Sequence, residues 1–235
     1  MKNLIFSIIS IIFIQLTFAQ SFVQPLDNLS PMFGNDAIVL DSKGNEIKGK
    51  LSGGMMVMGH LKSFTLKFDD GTKQKFKSEE VKLLKVKASG FVKFIMATES
   101  MSSVKKMAKT NYDEIANKDW LIFEQALINR KKDKPRLLQL LNPGFDSKIK
   151  VFVDPTAKET GGIGLGGMKI TGGEDKSFLL VKNQTKAVKV KKGKYKKEFS
   201  GLFGDCDQMN EIFGGSKTKF QDMAGHVYAY DQSCN

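Results

Sequence analysis

Apolar and polar residues alternate along the first third of the chain, which is the pattern of half-buried β-strands. The alternation is clearest where Phe64, Leu66 and Phe68 share one face. Asp70-Gly71 follows, and an Asp-Gly pair favours the type I′ turn of a hairpin. Residues 73–77 are therefore predicted to return as the next strand.

Shorter runs on both sides of this hairpin predict further strands at residues 37–40, 46–51 and 81–86. Gly53-Gly54 is expected to end the second of these strands. Four or five short antiparallel strands are enough for a small barrel or for half of a sandwich. We therefore expect a small antiparallel β unit over residues 36–90. The aperiodic residues 20–35 before it are interpreted as a lead-in segment, with order beginning near Asp36.

The middle of the chain continues the β pattern and is assigned to a second β-rich unit over residues 91–192. Strands are expected at residues 91–96, 120–129, 137–141 and 148–153, with a short helix over residues 102–117. Residues 158–176 are rich in glycine and are predicted to form a loop. Residues 178–181 and 187–191 then favour a hairpin.

Near Gly193 the apolar period changes from two to about 3.6, which indicates helices. A first stripe, on a helix expected to end at Gly204, consists of Tyr195, Phe199, Leu202 and Phe203. A second stripe consists of Phe220, Met223, Ala224, Val227 and Tyr228. Residues 193–235 are thus predicted to be a helical C-terminal cap. The expected fold class is α+β, with a mainly antiparallel, barrel- or sandwich-like body and this cap.

The first residues have the composition of a secretory signal peptide. A positive start at Lys2 precedes an apolar run over residues 4–18, and Thr17-Phe18-Ala19 favours cleavage after Ala19. A membrane-spanning helix needs about 20 apolar residues, so cleavage is favoured over anchoring. We expect residues 1–19 to be removed. The product is then periplasmic or secreted, with no transmembrane helix in the mature chain.

The export signal changes the interpretation of the two cysteines, Cys206 and Cys234. In an oxidising compartment, two cysteines favour one disulfide. The alternative is a metal site formed by both cysteines and His226, but neither a CxxC spacing nor a second nearby histidine supports it. We predict a disulfide that fastens the chain terminus to the helix before it, and no metal.

The chain is basic, with a formal net charge of +12, and Arg130 and Arg136 are its only arginines. Arginine makes bidentate contacts with phosphates and base edges, whereas lysine attracts anions less specifically. The composition therefore disfavours sequence-specific binding of nucleic acid. Acidic proteins, anionic polymers and lipid head groups remain candidate partners.

The most basic stretch, residues 182–197, contains eight lysines and no acidic residue. Its alternation predicts that Val188 and Val190 face inward while Lys189 and Lys191 face outward. In the functional interpretation it is an anion-binding strand, with the candidate residues Lys186, Lys189, Lys191, Lys192 and Lys194. In the structural interpretation, which is favoured, these lysines are solvated and discourage edge-to-edge pairing.

Residues 162–167 match the GxGxxG pattern of dinucleotide-binding loops. That fingerprint needs a helix at its last glycine and an acidic residue about 20 residues further on. The residues after Gly167 favour a strand instead, and no acidic residue lies between Lys176 and Lys197. No cofactor is predicted, and the glycine-rich segment is interpreted as a loop whose backbone a partner could approach closely.

Catalytic chemistry finds little support. His60 and His226 are the only histidines, and no nucleophile elbow or HExxH motif is present. An isolated histidine is more often structural than catalytic, so no catalytic residues are predicted. A hydrolase of an unfamiliar type, using His60 or His226, is the alternative.

The signal ending Phe18-Ala19 before Gln20, together with the run from Tyr195 to Cys206, resembles exported proteins of unknown function that are common in Bacteroidota. The likeness covers the signal and residues 195–235. It implies an address in a Gram-negative envelope and supplies no activity.

The expected function is that of an exported, non-catalytic envelope module that binds an acidic protein or polymer. The export signal, the basic charge and the lack of a catalytic motif favour it. Besides the hydrolase, lysine-mediated peripheral association with a membrane is a weaker alternative.

Overall fold

The computed structural model describes residues 22–23, 25–57, 59–90, 119–128, 135–157, 162–165, 168–172, 177–183 and 186–234. The predicted signal peptide over residues 1–19 lies outside these ranges. So do the strand predicted at residues 91–96 and the helix predicted over residues 102–117.

In these ranges the fold is a mainly antiparallel β body followed by helices, which confirms the predicted class. The strands are β1 (Asp36–Asp41), β2 (Glu46–Val57), β3 (His60–Lys67), β4 (Lys73–Lys77), β5 (Val81–Lys87), β6 (Trp120–Leu127), β7 (Pro135–Gln139), β8 (Ile149–Val153), β9 (Gly162–Leu165), β10 (Met168–Gly172), β11 (Ser177–Lys182) and β12 (Val188–Lys191). The α-helices are α1 (Tyr195–Phe203), α2 (Asp207–Phe213) and α3 (Met223–Ser233).

The largest sheet is a closed barrel. Its strands run in the order β2-β1-β5-β6-β7-β3, and β2 also pairs with β3, which closes the ring. All of these pairings are antiparallel. The barrel takes strands from both predicted β units, because β6 and β7 complete the ring that β1, β2, β3 and β5 begin. Strand β4 lies outside the ring and pairs with β3.

Strand β2 belongs to two sides of the barrel, pairing with β1 along its first half and with β3 beyond it. Gly53-Gly54 was expected to end this strand, but the strand continues to Val57. The register shifts between Leu51 and Gly53, so the glycines lie at a bulge where the strand bends.

The lead-in segment also differs from expectation, because ordered structure begins before Asp36. The side chains buried there in the barrel core are those of Val23, Leu26, Leu29 and Met32. The Leu26 N–H donates to Gln139 Oε1 at 2.8 Å, and the Val23 N–H donates to the Leu141 carbonyl at 2.7 Å. The apolar residues of this segment recur with neither the period of a strand nor that of a helix, so the sequence pattern did not predict their burial.

A second sheet has the order β12-β11-β8 and touches the barrel through two isolated bridges, Ile128 to Ala187 and Leu140 to Phe152. Asn142, fully buried, organises the turn into β8. Its Nδ2 donates to the carbonyls of Phe145 and Ile149, and its Oδ1 accepts from the Val151 N–H, each at 2.8 Å. Residues 158–176 were predicted to form a loop, but this segment contains the antiparallel hairpin of β9 and β10.

The C-terminal helices share an aromatic core with the second sheet. Ile149, Val151 and Leu180 of the sheet cluster with Phe199 of α1 and Val227 of α3. Helix α1 ends before Gly204, as predicted. Helix α2 was not predicted, because seven residues are too few to show a helical stripe.

Cys206 and Cys234 form the predicted disulfide, with 5.7 Å between their Cα atoms. The bridge joins the start of α2 to the residue after α3. A closed loop with a sequence separation of 28 residues contributes about 3–4 kcal/mol in the chain-entropy picture. Within the described part of the chain, no helix is both long enough and apolar enough to cross a bilayer.

Candidate anion-binding face

The outer surface of β2, β3 and β4 carries a row of directly opposed lysines. Lys50 of β2 lies opposite Lys67 of β3, which in turn lies opposite Lys73 of β4. All three side chains are exposed. Neighbouring strands are about 4.8 Å apart, so this register brings three positive charges close together. Like charges directly opposite each other on neighbouring strands are destabilising, so the three lysines repel one another.

Strand β4 extends the row along the chain. Lys73, Lys75 and Lys77 alternate with Gln74 and with Phe76, whose buried ring stacks on Phe64 with 5.2 Å between centroids. Burial of Phe76 on one face fixes the lysines on the other, because successive side chains of a strand point to opposite faces. We refer to Lys50, Lys67, Lys73, Lys75 and Lys77 as the lysine face.

The turn between β3 and β4 sets the register of the lysine face. The Asp70 carboxylate accepts from the Thr72 N–H at 2.9 Å and from the Thr72 hydroxyl at 2.6 Å. Gly71 adopts a φ of 84°, a conformation that glycine allows at little cost. The Asp70-Gly71 signal therefore predicted the position of the turn and the strand that follows it, but not the turn type. A type I′ turn needs a positive φ at both central residues, and among the described non-glycine residues only Asn183 has one.

Acidic side chains lie at the border of the lysine face. Glu46 pairs with Lys48 at 3.0 Å, and Asp36, which lies opposite Lys50 in the register, is 3.9 Å from the Lys87 ammonium. Among the described residues, no ion pair involves a member of the lysine face. In the part of the chain that the structure describes, the positive charge of the lysine face is thus not neutralised by an ion pair.

The lysines predicted from the sequence lie elsewhere, around β12. Lys186, Lys191, Lys192 and Lys194 are exposed, whereas Lys189 is half-buried. The Lys189 ammonium forms an ion pair with Asp154 and donates to the Thr156 hydroxyl at 2.8 Å. The Lys189 side chain is 33% exposed and is held by Asp154 and Thr156, whereas the other four lysines are exposed.

Asp154 is a buried anchor that the sequence did not reveal. Its carboxylate also accepts from the Ser177 hydroxyl at 2.6 Å and from the Thr156 N–H at 2.9 Å. Burial acts to raise the pKa of Asp154, but the hydrogen bonds from Lys189, Ser177 and Thr156 outweigh it and hold the pKa below its usual value. This group ties β8, β11 and β12 together at one end of the second sheet.

The inward orientation predicted for Val188 is wrong, because its side chain is 54% exposed, whereas Val190 is buried as expected. The second sheet has the helices on one face and the barrel side on the other, since Leu180 and Leu179 belong to different core clusters. Core clusters cover both faces of the sheet, but β12 is its edge strand, so alternation alone does not determine which residues of β12 are buried.

His226 lies in the core of the C-terminal helices and is 1% exposed. The Tyr195 hydroxyl is 2.7 Å from its Nδ1, and the rings of Phe199 and Phe213 pack on it. Burial lowers the pKa of His226 to about 4, and burial likewise raises the pKa of Tyr195. Asp231, the acidic residue near His226 in the sequence, instead accepts from Ser147. These contacts suit a packed core.

His60, the other candidate base, lies against a cation. The Arg136 Nη1 is 3.2 Å from His60 Nδ1 and 3.3 Å from Nε2. A general base becomes positively charged when it takes a proton, and a neighbouring guanidinium opposes that charge. Neither histidine therefore has the surroundings expected of the hydrolase alternative.

No cluster of three or more potential metal ligands occurs among the described residues, and both cysteines are in the disulfide. The metal alternative that used Cys206, Cys234 and His226 is thereby ruled out, because disulfide sulfurs are not thiolate ligands.

Comparisons with protein-family models, with curated proteins and with solved structures find no match to this chain.

The lysine face was not predicted from the sequence. Its signal was present in the alternating lysines of residues 73–77 and in Lys48 and Lys50. The opposition of Lys50, Lys67 and Lys73 needs the strand register, which the sequence pattern does not supply.

Proposed function

We propose that this protein is a non-catalytic binding module of the cell envelope that holds a polyanion, either an acidic protein or an acidic polymer, against the lysine face. The observation that carries this proposal is the row of Lys50, Lys67 and Lys73, exposed and directly opposed on three neighbouring strands.

The energetic basis is the repulsion within the row. Each directly opposed pair of like charges is destabilising. A polyanion relieves this repulsion on binding, and it adds several weak attractions that act together. Because the lysines are exposed, their attraction for a polyanion should weaken as salt rises and the screening length falls to about 8 Å at physiological ionic strength.

The rigid framework supports a role in binding. The lysine face lies on two strands of the closed barrel, β2 and β3, and on β4, which pairs with β3 outside the ring. A surface whose charges are already in position loses little conformational freedom when a partner binds. The envelope address rests on the predicted signal peptide and on the resemblance to exported proteins.

The test compares two triple variants with the same change of charge. One replaces Lys50, Lys67 and Lys73 by Gln, and the other replaces Lys191, Lys192 and Lys194 by Gln. Binding of dextran sulfate and of poly-L-glutamate is measured by titration calorimetry at low and at physiological salt, with neutral dextran as a blank. We expect the first variant to bind at least about tenfold more weakly than the second, which corresponds to about 1.4 kcal/mol.

Equal loss in the two variants would mean that net charge alone governs binding and would contradict the proposal. A greater loss in the second variant would move the site to the lysines around β12. Circular dichroism and urea unfolding of both variants are the control, and we expect each variant to retain the fold of the parent.

A further inference from the structure

Within the described ranges, strand β4 is paired along one edge only, and its other edge is called the open edge below. It pairs with β3 over residues 73–77, and no second strand among the described residues pairs with it. In an antiparallel pair, the backbone groups of alternate residues point toward the partner strand and away from it. The open edge of β4 therefore offers backbone donors and acceptors at every second residue.

Two hydrogen bonds show which residues these are. The Phe68 N–H donates to the Thr72 carbonyl at 2.9 Å, so the alternation along the hairpin directs the backbone groups of Gln74 and Phe76 toward β3. The groups of Lys73, Lys75 and Lys77 then point away from β3. In agreement, the Lys77 N–H donates to Glu80 Oε2 at 2.8 Å and not to β3.

The same residues thus carry both the open backbone groups and the positive side chains. Lys73 and Lys75 each present an outward N–H and C=O, and their exposed ammonium groups lie on the outer face of the strand. Alternate residues of a strand are about 6.8 Å apart. An extended peptide with an acidic residue at every second position has carboxylates at this spacing and would place each one directly opposite a lysine.

We propose that the open edge of β4 binds an extended acidic segment of a partner protein as an added strand. The segment carries Asp or Glu at alternate positions. Backbone hydrogen bonds to Lys73 and Lys75 fix its direction, and carboxylates opposite Lys73, Lys75 and Lys77 select it. This inference rests on the proposed function and specifies its partner. The lysines also prevent two copies of this chain from joining through β4, because charged edge strands repel their own kind.

Three peptides of the same length test the mode of binding. The first alternates Glu with Thr or Val. The second has the same composition with its glutamates in one block. The third is the first peptide with N-methyl groups on the backbone nitrogens that would face β4. Affinities are measured by fluorescence anisotropy with the purified full chain at physiological salt. We expect the alternating peptide to bind at least about tenfold more tightly than either of the others, which is the effect of one or two hydrogen bonds.

Two variants at one position separate the backbone from the charge. Lys75→Pro and Lys75→Gln remove the same charge, but only the proline removes the outward N–H. Proline is tolerated at an edge position whose N–H faces solvent, so the pairing of β4 with β3 is retained. We expect Lys75→Pro to weaken the alternating peptide several-fold more than Lys75→Gln does. Both variants should bind dextran sulfate equally.

The outcomes distinguish this inference from the proposed function. If all three peptides bind alike and Lys75→Pro equals Lys75→Gln, while dextran sulfate still requires Lys50, Lys67 and Lys73, strand addition is overturned and polyanion binding stands. If neither the peptides nor dextran sulfate bind, both are overturned. If circular dichroism shows that Lys75→Pro has lost its β structure, the three peptides, which are tested on the unchanged protein, decide whether strand addition occurs.

Discussion

At the scale of single residues, the two histidines show how surroundings decide what a titratable group can do. Burial among Tyr195, Phe199 and Phe213 keeps His226 uncharged at neutral pH, and Arg136 faces His60. The structural interpretation of His226 follows from its isolation in the sequence. Its partner Tyr195 could not be predicted, because 31 residues separate the two and only the packing of α1 on α3 brings them together.

The lowered pKa of His226 predicts that stability depends on pH. The pKa of His226 is about 4 in the fold, whereas an unperturbed histidine of the unfolded chain has a pKa of 6.5, so the unfolded chain binds more protons between these limits. The contribution of uncharged His226 to the free energy of unfolding is fully present above pH 6.5 and is lost as the pH falls toward 4. We expect the free energy of unfolding in urea to decrease by about 2 kcal/mol between pH 7.5 and pH 5.

Substitution of each histidine assigns this loss. The His60→Gln variant retains the buried imidazole of His226, so its free energy of unfolding should still decrease between pH 7.5 and pH 5. His226→Gln should lower stability at all pH values and should remove most of the decrease. A decrease that disappeared in His60→Gln and persisted in His226→Gln would contradict the assignment.

At the scale of elements, the alternation of the sequence predicted where strands occur but not how they bend or what covers them. The strand predicted at residues 73–77 is present with those bounds, because one buried residue, Phe76, and one turn determine it. Strand β2 was predicted too short. Its register shift between Leu51 and Gly53 leaves no trace in the alternation, and Gly54 lies against Leu29 of the lead-in segment, more than 20 residues away in the chain.

The close approach of the lead-in segment to β2 can be tested at the two glycines. A Cβ atom at Gly54 would lie 2.6 Å from Leu29 Cδ1 and 3.3 Å from Leu29 Cβ, whereas at Gly53 the nearest atoms are 3.8 Å away. Gly54→Ala should therefore lower the free energy of unfolding by about 1–3 kcal/mol through overpacking. Gly53→Ala should change it by less than about 1 kcal/mol in either direction.

Urea unfolding of the two variants, followed by circular dichroism, measures both effects. Because the substitutions are the same and the positions adjacent, propensity effects largely cancel between them. Equal destabilisation would show that the loss of glycine flexibility, and not contact with Leu29, determines the cost.

At the scale of the whole molecule, the closed barrel and its bridges to the second sheet arise from pairings that are distant in the chain. Strands β6 and β7 join the barrel after a long intervening segment, and no local pattern specifies such a pairing. The cap was predictable because helical stripes and two cysteines are local signals. The lysine face was not, since Lys50, Lys67 and Lys73 come together only when β2, β3 and β4 pair in register.

Zero-length carbodiimide crosslinking tests the central claim most directly, because it joins a bound carboxylate to the lysine that touches it. The protein is incubated with a glutamate-rich peptide at physiological salt, crosslinked, digested and analysed by mass spectrometry. Binding at the lysine face predicts crosslinks concentrated at Lys50, Lys67, Lys73 and Lys75, which high salt abolishes. Crosslinks concentrated at Lys191, Lys192 and Lys194, or spread evenly over the exposed lysines, would contradict it.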